Sequence, residues 1–271
     1  MRYLIIAVIC GSIFFGSTGL AANFPHRDKY PEVNIIELSD LKSGYDAGDI
    51  IVVDVRSKGE FETIHIKNAV NIPYGTANFI KDLNRLAQMN SNKKIAVYDN
   101  GAKCLKSYKA AEDAFDFAMI SNIYTFESGV STWAQFYPSD TLLFGKELKD
   151  PKGQLISKEQ VNKQSLDFEA FKEKAISADA VVFDIREPIQ RSKDLPGMKR
   201  VLPIPIEKVI NNIINKDRLK EKKLCFFDQV GDKVKWLMYY LVDNEYVNYY
   251  FLEGGATSVL EDQEYKISLR N

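Results

Sequence analysis

Histidine and cysteine are scarce in this chain of 271 residues, which has two His, His26 and His65, and three Cys, Cys10, Cys104 and Cys225. Two histidines argue against a histidine-built metal centre. Three cysteines with no Cys-x-x-Cys spacing exclude a disulfide-stapled scaffold, a thioredoxin-like redox pair and a zinc site. An excess of either charge is also missing: 36 Lys+Arg face 37 Asp+Glu, and no basic tract offers a footprint for nucleic acid. After residue 20 no apolar run is long enough to cross a bilayer. What is present is the composition of an ordinary folded protein, 45% hydrophobic and long enough for two domains.

The first 22 residues are set apart. Arg2 precedes an apolar run from Tyr3 to Phe15, and Gly16, Ser17, Thr18 and Gly19 lead to Leu20-Ala21-Ala22. Residues 1–22 therefore read as a secretory signal with cleavage after Ala21 or Ala22, the alternative being an uncleaved anchor. The expected location is exported, in the periplasm, with no membrane attachment once the signal is gone. Cleavage removes Cys10 and leaves Cys104 and Cys225.

The remainder is one pattern written twice. Ile50-Ile51-Val52-Val53-Asp54-Val55-Arg56 returns 130 residues later as Ala180-Val181-Val182-Phe183-Asp184-Ile185-Arg186, and both read as buried parallel strands. Lys94-Ile95-Ala96-Val97-Tyr98-Asp99 is matched by Lys223-Leu224-Cys225-Phe226-Phe227-Asp228, so the two Asp are 45 residues apart in one half and 44 in the other. Each second Asp is followed by a polar, glycine-containing loop and a helical stretch, Ser107 to Met119 and Lys233 to Leu241. An apolar strand and the turns Phe126-Glu127-Ser128-Gly129 and Leu252-Glu253-Gly254-Gly255 come next. Strands alternating with helices predict an α/β fold, each half a central parallel sheet flanked by helices. Further helices are expected after Asp40, over Thr76 to Met89 and over Asp167 to Ala175, and Phe24 to Pro31 reads as an extended arm. The predicted division is 32–137, a Pro- and Gly-bearing linker 138–155, and 156–260.

Val53-Asp54-Val55-Arg56, the run from Glu60 to Pro73 containing His65-Ile66, Val97-Tyr98-Asp99-Asn100-Gly101 and Phe126 to Trp133 together resemble a rhodanese domain. The second half resembles a degenerate copy: Asp184-Ile185-Arg186, Gly197, Asp228 to Gly231 and Leu252 to Gly255 fit, and the His-Ile segment is missing. The resemblance implies a sulfurtransferase-like protein without a cofactor, in which a Cys at the end of the fourth strand takes sulfane sulfur from a donor such as thiosulfate and passes it on as a persulfide. A loop that turns into a helix N-terminus gathers backbone N–H groups and the positive end of the helix dipole, which favours a thiolate.

Both copies depart from the family at that position, with Asp99 and Asp228 where the nucleophile would stand. A carboxylate forms no persulfide and repels an incoming anion, so the two Asp read as caps for the amides of their loops. Cys104 is then the remaining candidate thiol, flanked by Lys103 and Lys106 in a loop two residues longer than its counterpart, with the alternative that it is merely packed there. Asn100, Gly101, Lys103, Lys106, Ser107 and Arg56 are the candidate substrate-binding residues, although Asp54 with Arg56 better suits a structural tie between loops, and His65 a hydrogen-bonded structural role. Cys225, within an apolar strand, reads as core. Three functions remain open: sulfur transfer through Cys104 with a small sulfur anion or persulfide carrier; a non-catalytic module binding a protein partner; and a phosphatase, which lacks both the Cys and the loop-closing Arg it needs.

Overall fold

The computed structural model describes residues 24–102, 104–186 and 188–268. Strands β1 (Ile50–Asp54), β2 (Ile64–Ile66), β3 (Val70–Asn71), β4 (Lys94–Tyr98), β5 (Ile123–Phe126), β6 (Thr141–Leu143) and β7 (Lys146–Glu147) belong to the first half. Strands β8 (Ser165–Leu166), β9 (Ala180–Asp184), β10 (Val201–Pro203), β11 (Lys223–Phe227) and β12 (Tyr249–Leu252) belong to the second. The helices are α1 (Leu38–Ala47), α2 (Lys58–Thr63), α3 (Phe79–Met89), α4 (Lys106–Ala118), α5 (Gly129–Phe136), α6 (Pro151–Gln154), α7 (Lys158–Gln164), α8 (Phe168–Ala175), α9 (Ile206–Asn212), α10 (Lys233–Asp243) and α11 (Gly255–Ser268).

The fold is α/β, with two parallel sheets flanked by helices. One is ordered β3-β1-β4-β5, the other β10-β9-β11-β12-β8. The two orders correspond strand for strand, and the place of β8 is taken in the first half by a single parallel bridge from Ile35 to Thr125. The β-branched runs seen in sequence are the central strands because both faces are covered: Val53 and Val97 face α3 and α4, while Val52 and Ala96 face α1 and α5. In the second half, Phe183 and Phe226 stack on each other beneath α9 and α10.

Two expectations are corrected here. Residues Phe24 to Pro31 are not extended; they contain a 3₁₀ turn, Arg27–Lys29, and fold back onto the start of α4, Tyr30 stacking on Tyr108 at 5.3 Å. The cause is electrostatic, since Arg27 donates to the buried carboxylate of Glu127, which Tyr108 also meets. Within the stretch expected to link the halves, Pro138–Asp140 forms a 3₁₀ turn that leads into β6 and β7, and β6 pairs antiparallel with β2 of the first half. The signal segment 1–22 lies outside the described residues. No helix among the described residues is long and apolar enough to cross a membrane.

The turns after β5 and β12 place a glycine against the Asp loops. Gly129 has φ 64° and Gly255 φ 63°, and a Cβ built on Gly129 would lie 2.3 Å from the Gly101 nitrogen. The backbone N–H of Val130 then donates to the Asp99 carbonyl at 3.0 Å and that of Ala256 to the Asp228 carbonyl at 2.8 Å. Gly129→Ala, which strains φ and pushes backbone from backbone, is expected to cost at least about 2 kcal/mol. A urea unfolding curve that superimposes on the parent's would refute this.

Candidate functional site

The site is assembled from the loop that leaves β4. Its first residue, Asp99, is fully buried, and its carboxylate accepts the N–H of Gly101 at 3.0 Å and of Ser107 at 2.8 Å. Ser107 lies in the first turn of α4, where N–H groups have no intrahelical partner, so Asp99 caps that helix from a distance. Asp228 does the same in the second half, accepting the N–H groups of Gly231, Lys233 and Val234 at the start of α10. Burial raises the pKa of both carboxyls, and the amide hydrogen bonds pull it part of the way back. Each cradle of amides thus has a ligand supplied by its own chain.

Cys104 is half-buried, its own N–H turned back to the Gly101 carbonyl at 2.8 Å. Its sulfur meets the Lys106 N–H and the Asp99 carboxylate. The expected lowering of the thiol pKa is not found. Burial and then the Asp99 charge push it strongly upward, and the Lys106 N–H and ammonium offset this only in part. Cys225 is core, its thiol pushed up to about 12 by burial.

The candidate binding residues are largely occupied. Arg56 is fully buried, and its guanidinium donates to both oxygens of Asp54, to the Ile64 carbonyl and to Asn100 Oδ1 at 3.1 Å. Trp236 of the second half lies over it at 4.9 Å. In this arrangement Arg56 serves as the structural tie that the Asp–Arg pair also suited, its guanidinium engaged by Asp54, Ile64 and Asn100. Asn100 passes the chain of bonds on, its Nδ2 donating to Glu60 at 2.9 Å, and Lys106 pairs with the same Glu60 at 3.5 Å. Gly101 and the Ser107 N–H serve Asp99, and Lys103 lies outside the described residues. His65 stacks on Phe61 and bonds the Phe61 carbonyl through Nδ1, a structural arrangement. Asp184 and Arg186 repeat the first pair, with an Nη2–Oδ2 distance of 2.7 Å in each half.

Glu60 is a participant that sequence reasoning noticed only within a motif. Ser57 and Glu60 form a capping box at α2, a Ser-x-x-Glu pattern legible from the chain. Burial opposes its ionisation, but the Lys106 and Arg56 charges and the hydrogen bonds from Asn100 and Ser57 outweigh it and hold its pKa at about 2. Because the folded value is depressed, its stabilisation is present above the ordinary carboxylate range and is lost as pH falls toward that value. The destabilisation caused by Glu60→Gln is expected to be on the order of 3 kcal/mol near neutrality and to shrink on acidification through that range. Denaturant titrations at several pH values check this, and a penalty independent of pH would contradict it.

Between the halves, Gly101, Cys104 and Ser128 face Lys235 and Trp236 across a cleft of about 280 Å³, with Phe24 at its edge. The halves are further joined by Thr63 to Tyr240 Oη at 3.1 Å. No group of His, Cys, Asp and Glu among the described residues could hold a metal ion. Chemically, the loop offers a capped helix and a protonated thiol at the wall of a cleft.

Residues 37–136 match the rhodanese-like domain family. An HTH-type transcriptional regulator of Mycobacterium tuberculosis is 34% identical over 82 residues, 30% of this chain and 34% of that protein, so the chain spans about a third of the length of this curated relative. Among solved structures, a thiosulfate sulfurtransferase from Pseudomonas aeruginosa is 13% identical, with 86% of this chain and 45% of that one covered and a TM-score of 0.36. An As-Sb reductase from Leishmania major is 18% identical, covering 48% of this chain and 97% of that one with a TM-score of 0.36. A rhodanese-like domain from Anabaena sp. is 22% identical, covering 39% and 75% with a TM-score of 0.30.

Proposed function

We propose that this chain, which carries a rhodanese-like domain over residues 37–136, is an exported tandem rhodanese-like protein that binds a partner protein and does not transfer sulfur. The observation that carries the reading is the occupation of the amide cradle by Asp99, repeated by Asp228. A persulfide needs a thiolate at that place, and a resident carboxylate both withholds the N–H donors and repels a small sulfur anion. Transfer through Cys104 is disfavoured on separate grounds, since burial and the Asp99 charge keep the thiol protonated. The tandem part is supported by the matching strand orders and by the duplicated Asp–Arg geometry. Export rests on the apolar Tyr3–Phe15 run and the small residues up to Ala22.

The test is direct. Purified protein incubated with thiosulfate and cyanide is expected to yield no thiocyanate above background, and its intact mass to show no added sulfur, with Cys104→Ser indistinguishable from the parent. A one-sulfur mass gain that vanishes in Cys104→Ser would overturn the reading and make Cys104 a sulfur carrier. For export, N-terminal sequencing of protein from the periplasmic fraction is expected to begin at Ala22 or Asn23. A cytoplasmic protein retaining Met1 would refute that part.

A further inference from the structure

The outer face of α4, away from the Asp99 loop, carries a second feature. Glu112, Phe115, Asp116 and Met119 recur at i, i+3, i+4 and i+7 and so form one stripe along the helix and its C-terminal end. The segment from Tyr30 to Asn34 runs beside the stripe and encloses with it a groove of about 240 Å³. Its walls are apolar, Tyr30, Val33 and Phe115, and its rim is acidic, Glu32, Glu112 and Asp116. Phe115 is 55% exposed and Met119 85% exposed. A surface of this kind, apolar in the middle and charged at the edge, is the anatomy of an interaction site.

The charge has one sign. Among the described residues, Glu32, Glu112 and Asp116 form no ion pair; the cation nearest in sequence on the same helix is Lys109, and Arg27 is committed to Glu127 and Glu37. Asp113, next to the rim, accepts the Tyr74 hydroxyl at 2.9 Å. Burial first, and then the Glu112 and Asp113 charges, raise the pKa of the Tyr30 hydroxyl. One wall is held in place, because Tyr30 stacks on Tyr108 and the Asn34 side chain donates to the Ile123 carbonyl at 3.3 Å.

We infer that this groove docks a short cationic segment of a partner protein, with Lys or Arg side chains among Glu32, Glu112 and Asp116 and an apolar side chain against Phe115. Charge complementarity selects this occupant: the same rim repels nucleic acid and an anionic bilayer. The inference deepens the binding-module reading by giving the partner a chemistry. It rests on that reading only for its purpose, since the groove and the cleft lined by Cys104 share no residue.

The experiment uses a fluorescein-labelled synthetic peptide of alternating lysine and leucine, with an alternating glutamate and leucine peptide as control. Anisotropy titrations are expected to show binding of the lysine peptide alone, weakened by salt. The exposed substitutions Glu112→Gln with Asp116→Asn, and separately Phe115→Ser, are each expected to weaken it at least about tenfold. Amide chemical-shift changes are expected to gather on residues 30–34 and on α4. Equal affinity for the variants, equal binding of the control, or shifts gathered elsewhere would overturn the assignment. So would self-association in sedimentation that Phe115→Ser abolishes, which would make a second copy the occupant, or co-sedimentation with phosphatidylglycerol vesicles. Intact-mass measurement of sulfur uptake runs in parallel: sulfur on Cys104 with the peptide still seated in the groove removes the non-catalytic reading and keeps the groove. No peptide binding with no sulfur uptake does the reverse.

Discussion

Replacing Asp99 by cysteine in a Cys104→Ser background is expected to create sulfur transfer where the parent has none. The new thiol would inherit the N–H groups of Gly101 and Ser107, now spent on the carboxylate at 3.0 and 2.8 Å, together with the N-terminal end of α4. Donors of this kind aimed at a developing anion are worth roughly 10²-fold or more in rate each, and a helix N-terminus lowers a thiol pKa toward neutrality. Thiocyanate formation from thiosulfate and cyanide should therefore rise at least about 10²-fold above the parent background. The Cys104→Ser change keeps the neighbouring thiol from forming a disulfide with the new one. A folded, inert double variant would show that the cradle has lost its shape for sulfur as well as its nucleophile, and that Asp99 is not what silences it.

The second large effect concerns stability. Arg56→Met is expected to cost about 3–5 kcal/mol, because it leaves the buried Asp54 carboxylate without its partner and removes the donors to the Ile64 carbonyl and Asn100. The contact with Trp236 makes the change felt across the interface between the halves, so the indole fluorescence should shift before the first half unfolds. Adding Asp54→Asn should restore part of the loss, since the uncompensated charge is then gone. Equilibrium denaturation of the single and double variants checks both statements. A single-variant cost under about 1 kcal/mol would mean that the pair is not holding the loops.

Legibility in the sequence followed the range of the interaction. The central strands were readable because β-branched runs buried on both faces need no information from elsewhere, and β1, β4, β9 and β11 lie where the Asp-ending runs placed them. The helix from Asp167 was likewise a local signal, Asp167 capping the amide three residues on; Ser57, which caps α2 in the same way, is a local signal that went unread. Glu127 was not: it appeared as one residue of a turn, and only the folded chain shows Arg27, a hundred residues earlier, drawn onto its buried carboxylate. The arm looked extended for the same reason, since nothing within it specifies the distant acid. For Cys104 the neighbouring lysines suggested an activated thiol, whereas folding buries the sulfur and then sets the Asp99 carboxylate against it, which reverses the direction of the shift.

By itself the sequence determined the α/β class and the absence of a cysteine at the end of β4, because periodicity and residue identity are properties of a linear chain. Tertiary structure alone decided what each polar group does. Charges and amides interact through space at a few ångströms, so whether Asp99 fills its cradle, Arg56 is spent and Cys104 is held protonated depends on which loops meet.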